Sequence, residues 1–345
     1  MSIFERRSII VNLAAEINNG RHRRQRRRRQ TMEETMTTVS EDMRRAWNET
    51  VPDLVEPRAS ALATSLEQPT LVLGGTGKTG RRVVERLVAR GLPVRVGSRS
   101  GEPPFDWEDR ATWAPALSGV GSVYLTYYPD LAVPGSVDAV RSLVELAVAR
   151  GVQRLVLLSG RGEDEAERAE EVVQASGVDW THVRASWFSQ NFSENYLLDA
   201  VLSGEVVLPA GDVGEPFIDA DDIADVVVAA LTEDGHAGQL YEVTGPRLLT
   251  FAEAVAEIAA ATGREIRYVQ ISPEEYAAAL AEEGVPADFI WLVTYLFTTI
   301  LDGRNAQVKD GVQRALGWEP RDFSDYARTT AATGVWSAPA MVGAR

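Results

Sequence analysis

With 345 residues, 45% of them hydrophobic, the chain can build one large or two ordinary domains around a substantial core. It has no cysteine, which excludes disulfides, thiolate catalysis and cysteine-ligated zinc or iron–sulfur centres. A net charge of −15 argues against a nucleic-acid-binding core, and no apolar run is long enough to span a bilayer, so a cytoplasmic location is expected.

The charge is unevenly placed. Residues 1–35 hold nine Arg and four Glu, a net +5, which leaves −20 on residues 36–345. The run Arg21-His22-Arg23-Arg24-Gln25-Arg26-Arg27-Arg28-Arg29 suits nucleic acid or an acidic membrane surface only if that extension is native. The favoured reading is a natural start at Met32 or Met36, with translated upstream sequence before it. Residues 1–68 read as a loosely docked leader with one short helix expected over 41–48.

The first element of the folded part is the most informative. Leu71-Val72-Leu73 runs into Gly74-Gly75-Thr76-Gly77-Lys78-Thr79-Gly80, and an amphipathic helix pattern follows over 78–90. Strand, glycine turn and helix in that order let a backbone approach a pyrophosphate, with helix N–H groups and dipole facing it. Gly77-Lys78-Thr79 is not a Walker turn, because the first glycine of that motif would fall on Val72. A dinucleotide is therefore expected. The next strand, over 93–98, ends in Ser98-Arg99-Ser100 without the acid that an NAD ribose requires. Arg99 between two hydroxyls suits a 2′-phosphate, so NADP(H) is preferred over NAD(H).

Further along, a short third element surrounds Phe105-Asp106-Trp107, and 111–117 reads as helix. Strands are expected over 122–126, 154–159, 179–184 and 239–243, with a short strand-like segment over 205–208. Helices are expected over 136–150, 164–176, 223–231 and 251–262, the last capped by Thr250. Residues from 273 to about 334 read as mostly helical. This alternation predicts an α/β fold, a doubly wound parallel-sheet Rossmann fold with a smaller, mostly helical C-terminal substrate lobe. The division expected is leader 1–68, dinucleotide-binding domain 69–235 and small lobe 236–345, interleaved around 185–220.

Four segments together carry a family resemblance. They are the glycine run 74–80, Leu157-Leu158-Ser159-Gly160, the stretch Ser176-Gly177-Val178-Asp179-Trp180-Thr181-His182-Val183-Arg184 continuing to Trp187-Phe188-Ser189-Gln190-Asn191-Phe192, and Phe217-Ile218-Asp219-Ala220-Asp221-Asp222-Ile223-Ala224. Over roughly 69–335 the chain resembles the NmrA-like branch of the atypical short-chain dehydrogenases. That branch includes NAD(P)H:quinone oxidoreductases, isoflavone-reductase-like enzymes and catalytically silent redox-sensing regulators. The resemblance implies that Gly74, Gly77 and Gly80 hold the pyrophosphate, lined by Thr76, Lys78 and Thr79. It also implies Ser98 and Arg99 at the 2′-phosphate, Asp106 and Trp107 beside the adenine, and Thr126, Tyr127 and Ser159 bordering the nicotinamide ribose. Ser186, Trp187 and Phe188 would lie near the ring.

Ordinary short-chain dehydrogenases use Tyr-x-x-x-Lys, and the chain departs from them. Its two lysines, Lys78 and Lys309, follow no tyrosine at that spacing, and the acidic helix 164–176 contains none. A simple ketone reductase would lack its usual proton donor. Quinones and enones leave a delocalised anion that a weak donor can protonate. Tyr127 and Ser159 are the catalytic candidates, although Tyr127 and Tyr128 equally suit lid packing or stacking on a flat substrate, and a serine at a strand end such as Ser159 commonly bonds backbone instead. Trp291 and Tyr295, at helical spacing with Leu296 and Phe297, read as core or as an apolar pocket wall. His182 reads as structural, and Asp219, Asp221 and Asp222 read as a loop acid and helix cap, so no metal is expected.

The expected function is NADPH-dependent transfer of hydride to a small conjugated carbonyl acceptor such as a quinone or enone. The alternative is a non-catalytic redox-sensing regulator. No membrane partner and no nucleic acid are expected, the basic extension aside, and the sequence is compatible with an oligomer.

Overall fold

The computed structural model describes residues 66–337. The basic run at 21–29, the alternative starts and the helix expected at 41–48 lie outside them.

β1 (Thr70–Leu73) is followed by α1 (Lys78–Ala89), β2 (Val94–Gly97) and a short α2 (Trp113–Ala116). β3 (Ser122–Leu125), α3 (Ser136–Ala149), β4 (Arg154–Gly160), α4 (Asp164–Gln174) and β5 (Asp179–Ala185) continue the alternation. With β7 (Gln239–Val243) these strands make a six-stranded sheet in the order β2-β1-β3-β4-β5-β7, every pair parallel. Helices cover both faces, which is why the strands read as unbroken apolar runs. Leu71, Leu73, Val123, Leu125, Leu155 and Leu157 face one layer, with Val140 and Leu143 of α3 and Ala166 and Val173 of α4. Their alternates Val72, Tyr124, Val156 and Val183 face the other, with Val83 and Leu87 of α1 and Val227 and Leu231 of α7 (Ala220–Thr232).

The second unit grows from the loops after β5. α5 (Asn191–Glu194), α6 (Leu198–Ser203) and β6 (Glu205–Leu208) precede α7. After β7 come α8 (Phe251–Thr262), β8 (Arg267–Gln270), α9 (Pro273–Glu282) and α10 (Ala287–Tyr295). α10 runs on into a π-turn over Leu296–Ile300, and α11 (Gly311–Leu316) and α12 (Phe323–Ala332) complete the chain. β6 and β8 form a separate parallel pair. Phe192, Phe217, Phe251, Phe297, Phe323 and Trp336 are buried together as this unit's core. α11 returns to pack on β7 and α7, so the chain passes between the two units more than once. No helix among the described residues is long and apolar enough to cross a membrane.

Two strand assignments differ from the sequence reading, and α5 and α6 were also not anticipated. The element around Phe105 joins no sheet ladder; Asp106 and Asp109 form one isolated bridge, and β2 is the sheet edge. Pro103 and Pro104 lack the N–H that a ladder needs, and the Phe105 and Trp113 rings pack instead at 6.2 Å. β8 was not anticipated, because its four residues, Arg-Tyr-Val-Gln, leave Arg267 and Gln270 exposed and carry little apolar signal. Thr250 caps α8 as expected, in a reciprocal capping box with Glu253.

β1 pairs with β2 on one side and β3 on the other, so the strand order reverses there and a crevice opens beyond the strand ends. Its floor depends on Gly80. A Cβ on Gly80 would lie 2.2 Å from the Gly74 carbonyl oxygen and 2.9 Å from the Gly75 Cα, both backbone atoms. Gly80→Ala should therefore cost about 2 kcal/mol or more. Urea unfolding should show a lower midpoint at unchanged m-value.

Candidate active site in the crevice beyond β1, β3 and β4

The glycine turn is shaped for close approach. Gly74 has φ of 60°, and a Cβ there would meet Thr126 Oγ1 at 2.8 Å. Thr126 Oγ1 donates to Leu73 O (3.1 Å), and Gly77 N–H closes the turn on Gly74 O (2.8 Å). Gly77 is the N-cap of α1, no side chain caps that end, and no acidic residue occupies its first turn. Thr76 and Gly77 are exposed. The first N–H groups and positive dipole end of a twelve-residue helix thus open onto the crevice. Thr79 is buried, and its hydroxyl accepts from Tyr124 OH (3.0 Å). These features fit a dinucleotide diphosphate.

Lys78 extends over the crevice. Its Nζ donates to Asn191 Oδ1 (2.8 Å) and lies 5.6 Å from the Phe188 ring centroid. Burial pulls its pKa down to about 8, against the opposing charges of Glu194 and Asp130, so it remains mostly protonated at neutral pH. The same face of α1 is clamped further along the helix. Arg82 pairs with Glu194 (2.7 Å) and Asp221 (3.2 Å), and Arg86 pairs with Asp221 (2.7 Å) and Asp225 (2.6 Å). Asp219 caps α7 through Asp221 N–H (2.8 Å), and Asp222 accepts the Arg321 N–H (2.7 Å) and its guanidinium. The three aspartates are therefore engaged by caps and arginines.

Beyond β2, Ser98 is half-buried and Arg99 exposed. Trp107 Nε1 donates to Thr126 O (3.0 Å), and its ring packs on Tyr127 at 4.8 Å. Asp106 Oδ1 accepts from Glu108 N–H (3.0 Å). Tyr127 thus turns towards Trp107, on the β2 side of the crevice, and burial together with Glu108 raises its pKa. Tyr128, on the same loop, is 50% exposed. Ser159, at the end of β4, is 4% exposed, and its Oγ has no hydrogen-bond partner among the described residues.

Across β4 and β5 lies a network that residue spacing does not reveal. Arg161 Nη1 donates to Ser186 Oγ (2.8 Å) and to Asn305 O (3.2 Å), its Nη2 reaches Gln307 O (3.2 Å), and its Nε reaches Glu242 (3.4 Å). Glu215 is 1% exposed, accepts the Trp187 N–H (3.5 Å) and bonds the Ser186 hydroxyl. Trp187 packs on Phe297 (5.0 Å) and Phe251 (5.2 Å). Phe297 also lines an open cavity of about 690 Å³ with Leu301, Ile271, Val213 and Pro209. Trp291 (45% exposed) and Tyr295 stack on each other at 5.4 Å and line no part of that cavity. His182 is buried and stacked on Trp180 at 4.4 Å, and burial lowers its pKa to about 4, so it is neutral.

Two further carboxyls complete the site. Asp130 follows β3 and accepts the Ala132 N–H (2.9 Å). Glu163 precedes α4, and its side chain shares a hydrogen bond with Asp130. Glu163 was visible only as one of many acids on an acidic segment. Arg161 was marked only by its place at the end of β4, and Glu215 gave no signal, since the partners of both are far away in sequence.

Burial raises the Glu215 pKa from 4.5 to about 7. The unfolded chain ionises this group from about pH 4.5, while the folded chain keeps its proton until near 7, so folding loses stability as pH rises through that window. Glu215→Gln should remove up to roughly 3 kcal/mol of this pH dependence, read as the difference in unfolding free energy between pH 4 and pH 8.

A family model described as NAD(P)H-binding matches residues 74–234. An NAD(P)H azoreductase from Xenophilus azovorans is 33% identical over 76% of this chain and 98% of its own length. An agroclavine dehydrogenase from Claviceps fusiformis is 33% identical over 74% of this chain and 95% of its own. Among solved structures, an NADPH-dependent quinone oxidoreductase from Escherichia coli bound to NADPH superposes with a TM-score of 0.61. It shares 22% identity and is matched over 75% of this chain and 99% of its own. The likeness in fold, the glycine cradle and these relatives agree: the chain belongs to the NmrA-like branch of the atypical short-chain dehydrogenases/reductases and is an NAD(P)H-dependent oxidoreductase.

Proposed function

We propose that the protein reduces a small, flat, conjugated carbonyl acceptor such as a quinone or enone at the expense of NADPH. The observation that carries this reading is the convergence of the glycine cradle with an aromatic wall: Lys78 of the turn lies over the Phe188 ring, and the adjoining Trp187 stands against Phe297 at the cavity. The bound dinucleotide supplies the hydride.

The chain's residues divide the remaining work. Gly74, Gly77, Gly80 and Thr76 shape the turn that receives the diphosphate, Lys78 adds positive charge, and Thr79 anchors the turn to Tyr124. Ser98 and Arg99 hold the 2′-phosphate, because a guanidinium pairs with phosphate oxygens and residues 98–100 contain no acid to bond a free ribose 2′-hydroxyl. Trp107, with Asp106, walls the adenine end, Tyr127 packs on Trp107 between the two ends, and Thr126, Ser159 and Ser186 border the nicotinamide. Trp187, Phe188 and Tyr128 offer faces on which a planar acceptor can lie, and Trp291 with Tyr295 stands further out on the same lobe. A planar conjugated acceptor agrees with the missing Tyr-x-x-x-Lys pair. It also agrees with the relatives named for azo-compound and quinone reduction.

NADPH oxidation against a quinone, an enone and a simple ketone tests this reading. Turnover is expected with the first two only; NADPH binding without any turnover would favour a redox sensor instead. Arg99→Ala should raise the NADPH Kd about tenfold or more and leave the NADH Kd nearly unchanged. Equal losses for both cofactors would refute the 2′-phosphate assignment.

A further inference from the structure

The strand ends that meet at the crevice hold a carboxyl pair for which structural packing alone gives no reason. β3 and β4 are hydrogen-bonded neighbours, and Asp130 and Glu163 sit in the loops that follow them. Glu163 occupies the N-cap position of α4, yet its side chain does not cap that helix. The carboxyl folds back over the strand end. A Cβ on Gly160 would lie 2.3–2.6 Å from its three terminal atoms, which places the carboxyl directly against the end of β4. Two carboxyls that share a hydrogen bond hold a proton between them. Burial raises both carboxyls, but the Ala132 N–H, the Glu163 hydrogen bond and the charge of Lys78 draw Asp130 back down, so Glu163 is the member that keeps its proton.

We propose that Glu163 is the proton donor of this crevice: its carboxyl, hydrogen-bonded to Asp130 and laid over Gly160 at the end of β4, protonates the oxyanion left on the acceptor when hydride arrives. The inference rests on the reductase reading above. Hydride brings two electrons and one hydrogen to the conjugated acceptor, and the displaced π pair collects on its oxygen. The Glu163 O–H bond breaks, an O–H bond forms on the acceptor, and the Glu163 carboxylate regains a proton from water. Lys78 and Asp130 keep the local charge compensated throughout. The donor lies on the β4 side, whereas the tyrosine candidate Tyr127 is packed towards Trp107.

The groups that face this acid are few. Burial and the Asp130 charge hold Glu163 well above the usual carboxylate range, with a smaller push from Glu165 on its own helix. Tyr295 approaches from α10 and itself feels Glu163, Glu165 and Asp164. Arg304 donates to Gly162 O (3.2 Å), and Lys78 acts through Asp130.

The test compares the wild-type chain with Glu163→Gln and Asp130→Asn. Infrared spectra without cofactor or acceptor should show a protonated-carboxyl C=O band at neutral pH that Glu163→Gln removes. NADPH Kd should stay within about twofold, while kcat for an enone falls about 100-fold. The wild-type rate should decline as pH rises through the Glu163 pKa, and that decline should vanish in Glu163→Gln. Asp130→Asn removes the neighbouring negative charge, so the same decline should move to lower pH. A Glu163→Gln protein with wild-type kcat and pH profile, or an unchanged infrared band, overturns the proposal and leaves the reductase reading intact. If that variant does not fold, an unshifted pH profile in Asp130→Asn overturns it. A wild-type protein that binds NADPH but reduces no acceptor overturns the reductase reading, and the donor role with it.

Discussion

The site depends on one backbone contact, the approach of Gly80 to the Gly74 carbonyl, which leaves no space for a side chain. That contact starts α1 directly over the end of β1. It places the uncapped N-terminus of the helix at the crevice and aims Lys78 across it. Away from that contact, Arg82 and Arg86 of the same helix bind three carboxylates from α5 and α7. The cradle and its clamp are thus parts of one helix. Loosening either would shift the helix N-terminus, because the core between β1 and α7 is packed without freedom to compensate.

A similar economy governs the opposite wall. Arg161 leaves the end of β4 and holds both Ser186 after β5 and the carbonyls of Asn305 and Gln307 from the C-terminal segment. Asn305 returns a hydrogen bond to Arg161 O (2.9 Å). The smaller unit is therefore tied to the sheet at the level where the nicotinamide would lie. Hydride transfer needs its two reactants held within a fraction of an ångström, and such cross-ties meet that requirement better than a mobile loop. The carboxyls of this region sit in different surroundings: Glu215 against Arg161 and Ser186, Glu163 against Asp130. Neighbours and burial, not residue type, decide which of them carries a proton at neutral pH.

Much of this was legible in the sequence, for physical reasons. The parallel strands are buried on both faces and read as apolar runs. Glycines 74, 77 and 80 mark the turn, which at 74 and 80 tolerates no side chain without strain, and Thr250 with Glu253 announces its helix. The segment at Phe105 misled because aromatic residues favour both strands and cores, and Pro103 and Pro104 decided the matter. β8 was hidden by its polar composition. The carboxyl pair, the Arg161 ties and the cavity beside Phe297 were illegible, because each joins residues distant in the chain and periodicity reports only which way a side chain points within its own element. The tryptophan and tyrosine at 291 and 295 show the same limit: helical spacing put them on one face, and only the packing of α10 shows that they stack on each other.

The most direct measurement of the central claim is the fate of the transferred hydrogen. An enone is reduced with NADPH carrying deuterium at the reactive face of its nicotinamide C4, and the product is analysed by mass spectrometry and NMR. The expected product carries one deuterium per turnover, bound to carbon, with solvent hydrogen at the position that receives the proton. An unlabelled product, or NADPH bound and never consumed, would contradict that claim.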